Sequence, residues 1–248
     1  MEKDIAMNHP KNPKFFLALA AGVGALGLVL GRLLYALALD DRGLLMRGHP
    51  LSVLLCLTIP ASLVIALLAL PGRKEEAPVV LFPNPWAILG QGGAAVAIAA
   101  TVITGDTSTL GSAGTLWRVF GLLAALGLVL SAWQQHRGKA PCFAGYLVLC
   151  LFLLSHLVSH YRQWCADPQI LDYLFEMLGT VLWMLFAYYC ACDCVGLPKP
   201  RMWQSTGLMT VTLCLTALGT RANLWLSLGG VLFAGACLYP TVPREETP

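Results

Sequence analysis

The chain has 248 residues, of which 57% are hydrophobic and only 12% are charged. Soluble domains carry roughly 25% charged residues, so this composition predicts an integral membrane protein whose main partner is the lipid bilayer. The formal net charge of +3 comes from basic residues that stand singly or in pairs between apolar runs, which excludes a basic face for nucleic acid.

Eight apolar segments follow one another, and a helix needs roughly 17 to 25 residues to cross about 30 Å of hydrocarbon. They lie at residues 15–38, 51–71, 86–104, 116–134, 143–161, 168–195, 204–220 and 223–239. The sequence therefore predicts an all-α fold: a polytopic helical membrane protein of about eight transmembrane helices, forming one bundle over 15–239 with tails at 1–14 and 240–248. The last two segments are short and separated only by "TRAN", so a re-entrant hairpin over 204–239 is the alternative.

The first two segments contain features that bear on packing and charge. The first is longer than the 7 to 15 apolar residues of a signal peptide, so we expect a retained helix. Its Gly27 and Gly31 form a GxxxG step that favours close helix contact. Arg32 follows, and an arginine near a helix centre costs on the order of 2.5 to 3.5 kcal/mol, so it should reach the surface or find a partner. Pro60 predicts a kink in the second segment.

The basic residues of the loops predict the orientation in the membrane. One set of tails and loops carries Lys3, Lys11, Lys14, Arg73, Lys74, Arg137, Lys139, Lys199, Arg201 and Arg244. The alternate loops carry fewer, namely Arg42, Arg47, Arg162 and Arg221, with Arg118 near a helix edge. Both termini are therefore predicted to be cytoplasmic, in a protein of the cytoplasmic membrane.

The fifth and sixth segments meet at "SHLVSHYRQWCADP", where polar residues occupy helical spacings. His156 and His160 are four residues apart at the end of one segment, and Asp172 and Glu176 are four apart at the start of the next. A short connector makes these helices antiparallel neighbours, so the two pairs should lie at similar depth. With Arg32, these residues form a predicted polar cluster in the outer leaflet.

The predicted cluster has three interpretations. His156, His160 and Glu176 could bind a divalent metal as imidazole and carboxylate ligands. The same groups could relay protons or line a solute pathway, because histidine titrates near neutrality. They could also simply pair with one another and fasten the helix ends at the interface.

The stretch "YRQWCADPQILDYLFEMLGTVLWMLFAYY" resembles uncharacterised multi-pass membrane proteins of anaerobic Gram-positive gut bacteria. The likeness rests on Tyr161, Arg162, Trp164, Asp167 and Pro168 and implies a bacterial membrane location, without an activity or binding residues.

The short loops between the apolar segments limit the possible functions. The loops are too short to fold a separate catalytic domain, which makes an enzyme the less favoured class. The favoured interpretation is a protein that moves or binds a small solute or ion, or a membrane subunit of such a system. The alternatives are a metal-dependent intramembrane enzyme and a non-catalytic membrane partner or sensor that binds another membrane protein.

Overall fold

The computed structural model describes residues 13–38, 45, 49–70, 84–105, 112–166, 171–220 and 222–239, without the side chains of residues 112–113, 162–166 and 172. Over these residues the chain forms nine α-helices and no β-strand, as the all-α prediction requires. The helices are α1 (Pro13–Leu37), α2 (Pro50–Cys56), α3 (Thr58–Leu68), α4 (Pro85–Thr104), α5 (Ser112–His136), α6 (Phe143–Ala166), α7 (Leu171–Cys194), α8 (Pro200–Ala217) and α9 (Leu224–Leu238). The predicted tails lie outside the described residues, apart from Pro13 and Lys14, with which α1 begins.

Six stretches of helix among the described residues are long and apolar enough to cross a membrane. They are Pro13–Leu37, Pro50–Leu68, Pro85–Thr104, Gly114–His136, Phe143–Tyr161 and Tyr173–Cys194. These correspond to the first six predicted segments, so the part of the chain that the structure describes is all-helical, with six candidate membrane-spanning helices. The seventh and eighth predicted segments are helical too, as α8 and α9, but α9 has only 15 residues and α8 carries Arg201 and Gln204 in its first turns.

The second segment is interrupted near the predicted proline kink. The helix breaks at Leu57, where α2 ends and α3 begins. Pro60 lacks the N–H that would bond the Cys56 carbonyl four residues earlier, and its ring crowds that carbonyl. The hydroxyl of Thr58 donates to the Leu55 carbonyl at 2.7 Å, which satisfies one acceptor at the break.

Five helices close a ring. In order around it, α4 contacts α5, α5 contacts α6, α6 contacts α7, α7 contacts α9, and α9 returns to α4. Small residues permit this approach: Gly127 of α5 faces Gly145 of α6, and Gly90 of α4 faces Ala236 of α9. Large buried side chains fill the space between the ring helices, and they include Trp117, Leu128, Tyr146, Leu149, Phe152, Trp183, Phe186 and Phe233.

Helix α8 is surrounded by protein, because it contacts α1, α3, α7 and α9. Its threonine hydroxyls bond their own helix or a neighbour. Thr216 donates to the Thr212 carbonyl at 2.9 Å, and Thr212 also reaches the Ala20 carbonyl of α1 at 3.2 Å. A helix covered by protein on most sides does not need an apolar surface, which explains why α8 is more polar than the other long helices.

Candidate functional site

His156 of α6 and Glu176 of α7 form a buried pair. Nε2 of His156 lies 3.0 Å from Oε1 of Glu176, and the two side chains are 0% and 6% exposed. An ionised carboxylate only accepts hydrogen bonds, whereas imidazole can donate or accept. The contact therefore holds a proton between two groups that can each carry it. Antiparallel packing of α6 and α7 brings these residues to the same depth, as the connector length predicted.

The second carboxylate oxygen of Glu176 is bound by a third helix. Oε2 accepts the backbone N–H of Asn223 at 2.9 Å. Asn223 is the N-cap of α9, and its own side chain accepts the N–H of Leu226 at 3.1 Å. The carboxylate thus lies at the positive end of the α9 dipole, where a negative charge is favoured. Each oxygen of Glu176 has a nitrogen partner, one from α6 and one from α9.

Aromatic rings cover the His156–Glu176 pair. The ring of His160 lies against that of His156, with 4.1 Å between centroids, and its Nδ1 donates to the His156 carbonyl at 3.0 Å. Trp117 of α5 lies 6.1 Å from the His156 ring and 6.0 Å from the His160 ring, measured between centroids. Trp117 is 2% exposed, and its indole nitrogen is buried with no hydrogen-bond partner among the described residues. A hydrogen-bond donor is therefore available beside the pair.

The predicted cluster is smaller in the structure than in the sequence analysis. Arg32 is exposed on α1, and within the described residues α1 contacts α2, α3, α8 and α9 but neither α6 nor α7. The reason lies in helix packing: Gly31 faces Gly219, just past the end of α8, and the next residue along a helix points about 100° away. The side chains of Asp172 and Arg162 lie outside the described residues, and Arg118 is exposed on α5.

The predicted metal site at His156, His160 and Glu176 is not preformed. Nδ1 of His160 is used by a backbone carbonyl, and both oxygens of Glu176 already have partners. Across the part of the chain that the structure describes, no group of three or more His, Cys, Asp or Glu side chains is arranged to hold a metal ion. A divalent metal at these three residues stays a prediction that this geometry does not support.

A second polar cluster, which the sequence analysis missed, lies between α4, α5 and α6. The amide nitrogen of Gln91 donates to the hydroxyl of Tyr146 at 3.0 Å, and that of Gln135 does so at 3.5 Å. All three side chains are 0% exposed. The amide oxygens of Gln91 and Gln135 are buried with no partner among the described residues. The available signal was Gln91 itself, a polar side chain inside the Gly/Ala-rich run "GQGGAAVAIAA".

The two polar clusters lie at opposite ends of the ring. Tyr146 and His156 are ten residues apart on α6, which corresponds to about 15 Å of rise. Between them the ring is filled by apolar and aromatic side chains, since Trp183 lies 6.2 Å from Phe233, and Phe233 lies 6.1 Å from Tyr146 between ring centroids. The ring helices therefore enclose a polar group at each end and an apolar centre.

No protein-family model matches this chain, and comparison with curated proteins and with solved structures gives no match either.

Proposed function

We propose that this chain is a multi-pass protein of the cytoplasmic membrane that binds and moves a small solute or ion, alone or as the membrane subunit of a larger system. The His156–Glu176 pair is the binding site. One observation carries the proposal: a carboxylate and an imidazole share a proton at 3.0 Å inside an apolar helix bundle, at the N-terminus of a third helix. Ionisable groups inside a membrane protein mark ion or proton pathways as a rule.

The free energy of burying Glu176 favours a functional role for the pair over a purely structural one. Removing an ionised carboxylate from water costs several kcal/mol even after relaxation. A hydrogen bond to a charged group returns only about 1.5 to 3 kcal/mol. The two bonds of Glu176 thus do little more than offset its burial. Apolar side chains of similar volume would join α6 to α7 at least as well, so selection for stability alone does not account for a protonatable pair.

A proton or a small cation fits the pair better than a metal ion. The contact already holds a proton between His156 and Glu176, and imidazole and carboxylate can each accept and release a proton. A metal-dependent enzyme would require a third ligand, which the described residues do not place there.

Reconstitution tests the proposal. Purified protein is placed in liposomes that enclose a pH-sensitive dye, and a potassium diffusion potential drives protons inward. We expect the parent chain to acidify the lumen, and Glu176→Gln and His156→Gln to lower the rate to that of empty liposomes, because neither variant retains an exchangeable proton between two titratable groups. His136→Gln is the matched control, since His136 is exposed at the end of α5. The proposal would be contradicted if Glu176→Gln acidified the lumen as fast as the parent chain. It would also be contradicted if the parent chain carried no flux of protons or monovalent cations.

We also propose that α8 and α9 cross the membrane, which gives eight spans with both termini in the cytoplasm. The support is that α8 packs along α1 and α7, two of the candidate spans, and that α9 completes the ring. The connector near Ala222 distinguishes this arrangement from a re-entrant hairpin. In a background without other reactive cysteines, Ala222→Cys should react with an impermeant maleimide that is added outside intact cells. Gly138→Cys should react only after the cells are permeabilised. If the maleimide added outside does not label Ala222→Cys, that result would support the re-entrant hairpin.

A further inference from the structure

The cluster of Gln91, Gln135 and Tyr146 contains more hydrogen-bonding groups than its contacts satisfy. Each amide uses one of its two polar atoms on the Tyr146 hydroxyl and leaves the other buried without a partner. Turning an amide about its last torsion exchanges oxygen and nitrogen and leaves this count unchanged. A buried unsatisfied polar atom costs about 1 to 3 kcal/mol, so two of them in one place require an explanation.

A structural role explains the cluster poorly. Leucine in place of either glutamine would fill a similar volume and remove the unsatisfied atom. The three residues come from three neighbouring helices, and all are fully buried. Their unpartnered atoms therefore remain available only to a small ligand that enters the bundle.

We infer that Gln91, Gln135 and Tyr146 form a second binding site of this protein, for a small ammonium-type cation. In the arrangement that the structure shows, both amides donate their N–H to Tyr146 and leave two oxygens as unpartnered acceptors. These two oxygens suit an ammonium group, which binds through its N–H donors, better than a hard metal ion, which needs six or more oxygens. Net charge agrees: among the described residues the buried side chains include the carboxylate of Glu176 and no lysine or arginine.

The position of this site gives it a role in transport. It lies about 15 Å along α6 from the His156–Glu176 pair, with Trp183 and Phe233 between the two. A cation could thus be held at either end of the ring while the apolar centre blocks a continuous water path. The role as a second binding position during transport rests on the proposed function, whereas binding of the cation does not.

Thermal unfolding in detergent tests the binding. The probe is ammonium chloride, compared with choline chloride at the same concentration, because choline is too large and has no N–H. We expect the Tm of the parent chain to rise by a few degrees in ammonium relative to choline, since a ligand that binds only the folded state stabilises it. The triple variant Gln91→Leu, Gln135→Leu, Tyr146→Phe should lose that rise and keep a Tm in choline equal to or above that of the parent.

Two further variants separate the possible outcomes. Tyr146→Phe alone makes the smallest change and should reduce the ammonium-dependent rise if the triple variant fails to fold. Glu176→Gln should keep the rise even though it stops proton flux, so loss of transport and loss of this site are distinguishable. The inference is overturned if ammonium does not raise the Tm of the parent chain, a result that would leave at most a bound water at the cluster. It is also overturned if the rise in Tm persists in the triple variant, or if both cluster variants unfold at a lower temperature than the parent in choline.

Discussion

The two partners of the His156–Glu176 pair do not depend equally on each other. Without Glu176, the imidazole of His156 can stay buried in a neutral form at little cost. Without His156, the carboxylate keeps only the N–H of Asn223 and must remain charged with one bond or take up a proton. A neutral amide at position 176 can still accept that N–H and has no need of an imidazole.

A double-mutant cycle should reveal this asymmetry. His156→Leu in the parent chain leaves the charge of Glu176 buried and should be strongly destabilising, up to about 3 to 5 kcal/mol. In the Glu176→Gln background the same change should cost less, by roughly 0.5 to 3 kcal/mol, because the amide is neutral. The free energy of unfolding of the four chains in detergent gives the coupling. If the effects of the two substitutions on the free energy of unfolding were additive, His156 would not stabilise the charge of Glu176.

The sequence predicted part of this site. His156 and Glu176 were predicted because their helical depth depends only on spacing and on a short connector. Arg32 was expected nearby, but its direction depends on which face of α1 packs against α8. The partner of Glu176 on α9 is a backbone N–H, which no side-chain pattern reveals. Gln91 and Gln135 come together only through the arrangement of three helices.

Helix α1 is joined to α8 through glycines at which a side chain would collide. A Cβ on Gly31 would lie 2.8 Å from the backbone of Gly219, which cannot move aside as a side chain can. A Cβ on Gly22 would meet nothing within 4 Å. The two glycines share one helix and differ in what they face, so they form a matched pair.

Alanine at these two positions should have opposite effects. Gly31→Ala should force α1 away from α8 and cost about 1 to 3 kcal/mol, as overpacking does. Gly22→Ala should be neutral or stabilising by up to roughly 1 kcal/mol, because alanine is the better helix former. Thermal unfolding of both variants checks the prediction. Equal loss in both would mean that glycine acts through backbone flexibility rather than through this contact.

The extent of each helix was largely predictable, because apolar length and proline position fix where a helix can run. Of the eight predicted segments, six correspond to candidate membrane-spanning helices among the described residues, with the second interrupted at Leu57. The last two segments are helical as α8 and α9. What the sequence did not reveal was the place of α8. Its position among α1, α3, α7 and α9 depends on contacts between distant segments, although its many threonines were a sign of cover by protein.

At the scale of the whole molecule, the closed ring depends on the two contacts that α9 makes with α7 and α4. Four of the ring helices, α4 to α7, follow one another in sequence, and each packs against the next. The ring closes only because α9 returns to α4 along Gly90 and Gly93. If α9 lay elsewhere, Glu176 would lose the N–H of Asn223, and the apolar centre formed around Phe233 would open.

A disulfide should close the ring covalently. A Cβ built on Gly93 lies 3.8 Å from the Cβ of Leu232, which equals the usual separation of about 3.8 Å in disulfides. Gly93→Cys with Leu232→Cys should therefore cross-link under mild oxidation, with the linked peptides identified by mass spectrometry. Gly92→Cys with Leu232→Cys is the matched control, because a Cβ on Gly92 meets nothing within 4 Å. Equal linkage in both pairs, or none at position 93, would place α9 outside the ring and remove the enclosed path between the two polar clusters.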